Sequence, residues 1–136
     1  MITKTKLDKI TYDVNGALIE VHKILGPGLL ESIYHRCLKY ELDLRKIKYQ
    51  SEVSLPFQYK DLDLSTDLRC DLLIENCIMI ELKAVQEIVP YFKTKLINHM
   101  LLTEIPKGIL VNFNVVNVMN EGHFTFVNKF YKNLPD

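Results

Sequence analysis

Neither sign of charge is in excess in this chain of 136 residues: Lys and Arg total 17, and Asp and Glu also total 17. That excludes a protein that coats nucleic acid through bulk charge, so any phosphate contact must come from a local patch. Cysteine is scarce. Cys37, Cys70 and Cys77 are odd in number and lack zinc-ribbon spacing, which points to a reducing compartment. No apolar run approaches the roughly 20 residues of a membrane span, and the first residues lack the apolar core of a signal peptide. A cytoplasmic protein with no membrane partner is expected. Internal repeats, low-complexity segments and linkers are missing too, so residues 1–136 read as one domain, long enough to bury a core.

Two amphipathic helices come first. Leu7, Ile10, Val14, Ala17, Leu18, Val21, Ile24 and Leu25 recur at three- and four-residue spacing, which predicts a helix from about Leu7 to Leu25. Gly26-Pro27-Gly28 stops it. A second helix is predicted from about Leu29 to Arg45, lying against a sheet, with Glu31 in its first turn and Tyr34 and Tyr40 read as core. A carboxylate in a first turn is favoured by the helix dipole whether or not it has a function. From Lys48 to Leu64 the pattern changes to period two. Pro56 demotes its strand to an edge or a bulge, Lys60-Asp61 reads as a turn, and Leu62 and Leu64 begin a return strand. Pro90 opens a third helix to about Glu104, with Phe92, Leu96, Ile97, Met100 and Leu101 on its expected buried face. Ile109 to Phe113 is a nearly continuous apolar run, as in a strand covered on both faces. A turn at Asn120-Glu121-Gly122 precedes a last strand, Phe124 to Val127. The order implies an α/β fold with a mixed β-sheet and helices packed on it.

The stretch Arg69 to Ala84, RCDLLIENCIMIELKA, carries the chemistry. It reads as a hairpin of Asp67 to Ile74 and Cys77 to Lys83 around a polar turn at Glu75-Asn76. Alternation puts Glu81 and Lys83 on one face. Two acids and a lysine on a rigid sheet suit a hydrolytic metal site, since a hard cation such as Mg²⁺ takes oxygen ligands. The same three residues on the polar edge of a half-buried hairpin are ordinarily just solvated surface. Register discriminates between the two. A two-residue turn would set Asp71 against Ile80, with Asp71 and Glu81 on opposite faces. A shared site requires a three-residue loop or a bulge.

Val21-His22, GPGLLESIY from Gly26 to Tyr34, DLLIENCIMIELKA, and GILVNF from Gly108 to Phe113 occur in this order over nearly the whole chain. Together they resemble the small bacterial GxxExxY family, with Gly28, Glu31 and Tyr34 in the named positions. That family is grouped with the PD-(D/E)xK nucleases. The resemblance implies a restriction-endonuclease-like core, with Asp71 and Glu81 as metal ligands, Lys83 as the catalytic lysine and Glu31 as a further acid and ligand. Cys70 stands where the superfamily name has Pro. Lys95 and His99 stand where the family's third helix resembles Gln-x-x-x-Tyr, and with Lys93 they form the candidate nucleic-acid-binding set. His22 and His99 are also candidate metal neighbours.

Two functions are implied. One is a Mg²⁺-dependent nuclease, with Mn²⁺ able to substitute, whose partner is DNA before RNA and whose second partner is another copy of the chain. The other is a catalytically silent member of the fold that binds nucleic acid or a protein.

Overall fold

The computed structural model describes residues 2–65 and 68–136. Helix α1 spans Lys4–Leu25, three residues earlier than the apolar stripe predicts, because the Thr3 side chain caps it by accepting from the Lys6 N–H at 3.1 Å. Leu7, Val14, Ala17, Leu18 and Val21 form its buried stripe. The helix ends at Gly26, whose φ of +68° is one that residues with a Cβ rarely adopt. Helix α2, Glu31–Leu44, buries Tyr34, Leu38 and Leu42 at four-residue spacing. Tyr40 does not share that face and is exposed, so its expected place in the core is not found.

Strand β1 is Tyr49–Ser54. Pro56 follows it, and a small ribbon of β2, Gln58–Tyr59, and β3, Leu62–Asp63, turns at Lys60. The central hairpin is β4, Arg69–Ile74, and β5, Ile78–Lys83; Asp67, expected to open it, lies outside the described residues. Helix α3, Pro90–Leu102, crosses to β6, Lys107–Asn112, which is buried at every position as the apolar run predicts. The expected turn near Asn120 is a short helix α4, Val118–Glu121, followed by β7, His123–Val127, and a helical turn α5, Lys129–Lys132.

The five-stranded sheet runs β1-β4-β5-β6-β7. Among the described residues only β5 and β6 pair in parallel, and the connection between them carries the long helix α3, as a parallel crossover requires. The sheet is therefore mixed, as expected. One face packs Leu72, Ile74, Ile78, Ile80 and Ile109 against α1 and α2. The other packs Leu73, Met79 and Leu110 against Leu96 and Met100 of α3. Ile97 and Leu101, expected on the buried face of α3, are 44% and 43% exposed. The helix is apolar on more than one side, and the sheet can cover only one. Among the described residues no helix is long and apolar enough to cross a membrane.

Candidate active site

The central hairpin turns through three residues. Ile74 faces Ile78, Leu73 faces Met79 and Leu72 faces Ile80, so Glu75-Asn76-Cys77 form the loop. Glu75 and Asn76 both take left-handed conformations (φ +50° and +57°), and the Cys77 N–H closes the turn on the Ile74 carbonyl at 2.9 Å. Counting the register on by one pair sets Asp71 across from Glu81. This is the arrangement a shared site requires.

At that point the strands part. The β4–β5 ladder has its last pair at Leu72 and Ile80. Beyond it, Asp71 Oδ2 accepts the Leu82 N–H at 2.8 Å, so a carboxylate takes the place of a ladder carbonyl. On the other side of β4, Ser51 pairs with Leu72 and Val53 with Cys70, while Glu52 between them has φ +50°. A non-glycine residue in that region is strained. Cys70 then packs on the α3 side and Leu72 on the α1–α2 side, although alternation would give two residues this far apart the same face. The backbone is thus kinked on both sides of Asp71.

Burial and like charge dominate the electrostatics. Glu81 is almost wholly enclosed. Burial pushes its carboxyl up to about 8, the Asp71 charge and a hydrogen bond between the two acids push in the same direction, and the Lys95 ammonium opposes them. The pair is held close enough to share a proton. Glu31 stands at the exposed mouth. Its carboxyl is raised by burial of its inner side and by Asp71, while Lys83 and His35 oppose the shift. The cleft, of about 350 Å³, is walled by Glu52, Arg69, Cys70, Asp71, Glu81 and Lys95. The two lysines divide the site. Lys95 faces Glu81, whereas Lys83 lies over the Phe92 ring, 4.3 Å from its centroid, and is felt by Glu31. Burial raises the Cys70 thiol to about 12, leaving it protonated and unreactive at neutral pH.

The placement of Glu31 follows from Tyr34. The Tyr34 hydroxyl donates to the Gly26 carbonyl at 2.5 Å and accepts the Leu29 N–H at 3.2 Å, tying down the glycine turn that precedes α2. Its ring stacks on Phe113, with centroids 4.5 Å apart and planes within 3°. The Phe113 N–H donates to the Lys83 carbonyl at 2.9 Å. One chain of contacts thus links the end of β5 to the start of α2. Asn112 secures the same corner. It is buried, its Oδ1 accepts from Val85 and Asn114, and its Nδ2 donates to the Val85 carbonyl. The sequence reading missed it. Its one trace there is an amide at the end of an otherwise apolar strand.

The remaining candidates disperse. His22 is a core residue, its Nε2 2.8 Å from the Val115 carbonyl. Lys93 reaches the other way, over Phe124 at 4.1 Å. His99 lies one turn beyond Lys95 and does not line the acid cleft. Of Lys93, Lys95 and His99, the structure brings only Lys95 to the acids.

A mixed sheet with helices on both faces, whose central strands split at a pair of acids, defines the restriction-endonuclease-like fold. The family model described as the PD-(D/E)XK nuclease superfamily matches residues 8–125, and the chain belongs to that superfamily. Neither the curated proteins nor the solved structures yielded a match. Nucleases of the superfamily generally use divalent metals, and the acid pair here fits one. Two carboxylates forced together, one raised well above its ordinary range, are relieved by a hard cation, and Mg²⁺ is commonly held by one or two carboxylates while keeping several waters. No group of three or more His, Cys, Asp or Glu side chains is gathered closely enough to hold an ion among the described residues. Glu31 therefore stands near the pair without closing on it.

Proposed function

We propose that the chain is a metal-dependent phosphodiesterase acting on nucleic acid, DNA before RNA, in a repair or defence context. The observation that carries this reading is the three-residue turn, which sets Asp71 across from Glu81 where β4 and β5 part. In this reading Asp71 and Glu81 hold Mg²⁺ or Mn²⁺, with Glu31 drawn in from the mouth. The bound ion supplies activation of water and neutralisation of phosphate charge. Asp71 is oriented by the Leu82 N–H, and Glu81 gives up its proton on loading. Lys83, held on Phe92 beside Glu31, offsets the charge that develops on the phosphate. Lys95 holds a substrate phosphate against the acid pair. Free thiols at all three cysteines accord with a reducing, cytoplasmic setting. The tie between Tyr34 and the glycine turn gives the GxxExxY resemblance a physical sense, because the motif's tyrosine positions its glutamate.

A second reading, a silent nucleic-acid- or protein-binding module, is favoured by one observation: Lys83 rests on Phe92 and is not among the charges that move Glu81. Cleavage of labelled single-stranded, duplex and branched DNA and of RNA, with Mg²⁺, Mn²⁺ or EDTA, decides between them. Metal-dependent cutting that Asp71→Asn abolishes supports the enzyme. No cutting of any substrate with either ion supports the module.

A further inference from the structure

A second groove opens beside the acid cleft. It holds about 500 Å³ and runs along the outward face of α3 between Tyr91 and Leu101, with Lys95, Asn98 and His99 in its wall. Lys95 lines both this groove and the cleft of Asp71 and Glu81, so the two meet at one ammonium. The helix, PYFKTKLINHMLL, carries Lys93, Lys95 and His99 and no acid, in a chain whose charges cancel overall. Its outer face is nevertheless partly apolar, with Tyr91 65% exposed beside Ile97 and Leu101. An aromatic ring and aliphatic surface interleaved with cations complement a partner whose flat apolar faces hang from an anionic backbone. Tyr91, Lys95 and Asn98 follow at four- and three-residue spacing and so share one side of the helix. The volume is that of a small-ligand site.

We propose that the α3 groove is a nucleobase subsite, where Tyr91 stacks on an unpaired base of the strand whose phosphate Lys95 holds at the acid pair. The proposal rests on the nucleic-acid reading above and narrows it. A base inside a duplex has both faces covered by its neighbours, so the substrate is single-stranded or unpaired next to the bond that breaks. Asn98, with an amide donor and an acceptor, is placed to contact the base edge.

The test is binding in EDTA, with no metal and no turnover. The wild-type chain, Tyr91→Ala and Tyr91→Phe are titrated with a labelled single strand, with strands carrying one 2-aminopurine or one abasic site at successive positions, and with blunt duplex. The wild-type chain is expected to prefer the single strand and to quench 2-aminopurine at one position. Tyr91→Ala should weaken binding by about 5- to 150-fold, the range that stacking of one base implies, and abolish the quench. Tyr91→Phe should keep both. An abasic site at the quenched position should cost the wild-type chain the same factor and cost Tyr91→Ala nothing further, a comparison that leaves the protein's fold untouched. Equal affinity of the wild-type and Ala chains, a preference for duplex, or no binding of the single strand would overturn the proposal. Lost stacking with Asp71-dependent cleavage retained sinks the subsite alone. Intact stacking without cleavage sinks the hydrolytic reading alone.

Discussion

Asp71 Oδ2 accepts the backbone N–H of Leu82 at 2.8 Å, across the gap where β4 leaves β5. Leu82 is buried, so its N–H has no ready access to solvent. A side chain that can still accept should preserve the split. Asp71→Asn is therefore expected to unfold in denaturant close to Asp71→Ala plus the value of one buried hydrogen bond, about 1–3 kcal/mol more stable than the Ala variant. Both remove the same charge, so their difference isolates the bond. Equal stability of the two variants would show that Asp71 does not hold the strands at this point.

Glu81 gives the metal-free protein a distinctive pH dependence. Its folded carboxyl, raised to about 8 by burial and by Asp71, keeps a proton that the unfolded chain loses near 4.5. Stability should therefore fall as pH rises through that window and level off above about 8. His99 and His123, both lowered by burial, give the opposite slope below 6.5. The clean interval is pH 6.5 to 8. Melting in EDTA should decline across it in the wild-type chain and stay flat in Glu81→Gln. A wild-type profile that is flat or rising would refute the shared proton.

Metal should reverse that trend. A cation that binds only the folded chain adds about 2.7 kcal/mol at a hundredfold excess over its dissociation constant, a melting shift on the order of 5–15 °C for a domain of this size. Because Glu81 is protonated at pH 7, loading should release about one proton per ion, and fewer at pH 9. Calorimetric titration in two buffers of different protonation enthalpy measures this directly. Absence of both the thermal shift and the proton with Mg²⁺, Mn²⁺ and Ca²⁺ would remove the ion from the site.

The sheet and its flanking helices were legible because their periods are clear, from the alternation of Ile78, Ile80 and Leu82 to the stripe from Leu7 to Val21. Register logic left a three-residue loop or a bulge if Asp71 and Glu81 share a site, and the pairing of Ile74 with Ile78 shows the three-residue loop. What the sequence hid is mostly a matter of side-chain direction. Ile97 and Leu101 carry the same apolar signal as Leu96 and Met100, and only packing shows which pair the sheet covers. Tyr40 and Tyr34 are both aromatic on one helix, yet one is exposed and the other fully buried. Lys83 alternates onto the expected face, but its long side chain settles on Phe92, a contact between residues nine apart that no period encodes. The left-handed Glu52 opposite Asp71 had no sequence mark, since glycine or asparagine is the usual occupant of that conformation.

Tyr34 should matter through Glu31. Tyr34→Phe keeps the ring on Phe113 and loses both hydroxyl hydrogen bonds to the glycine turn. The turn lies at the surface, where water can replace them, so the stability cost should be about 1 kcal/mol. Cleavage should fall more than that small loss suggests, because the first turn of α2 is no longer anchored. If the hydroxyl acts by placing Glu31, the double variant Tyr34→Phe/Glu31→Gln should be no slower than Glu31→Gln alone. Single-turnover rates on the two single variants and the double variant decide, and additive losses would give Tyr34 a role independent of Glu31.

The two lysines make different predictions because they face different acids. Lys83 lies by Glu31 and Phe92, and Lys95 by Glu81. Lys83→Ala should leave metal affinity intact or slightly tighter, since a nearby positive charge is removed. Its cleavage rate should fall about 10²- to 10³-fold, the typical loss of one preorganised charge-stabilising group. Lys95→Ala should instead weaken substrate binding and flatten its salt dependence by about one unit of slope. It should also raise the Glu81 titration further, because the Lys95 ammonium opposes the upward shift of that carboxyl. The pH–rate profile of Lys95→Ala should accordingly move to higher pH through Glu81, whereas Lys83→Ala should lower its height and leave the Glu81 titration in place, any residual shift coming from Glu31. Salt-dependent binding and single-turnover pH profiles on both variants separate the roles. Full activity in Lys83→Ala with a dead Lys95→Ala would transfer the catalytic role to the α3 lysine, and the ammonium facing the acid pair would then be the one that acts on the phosphate.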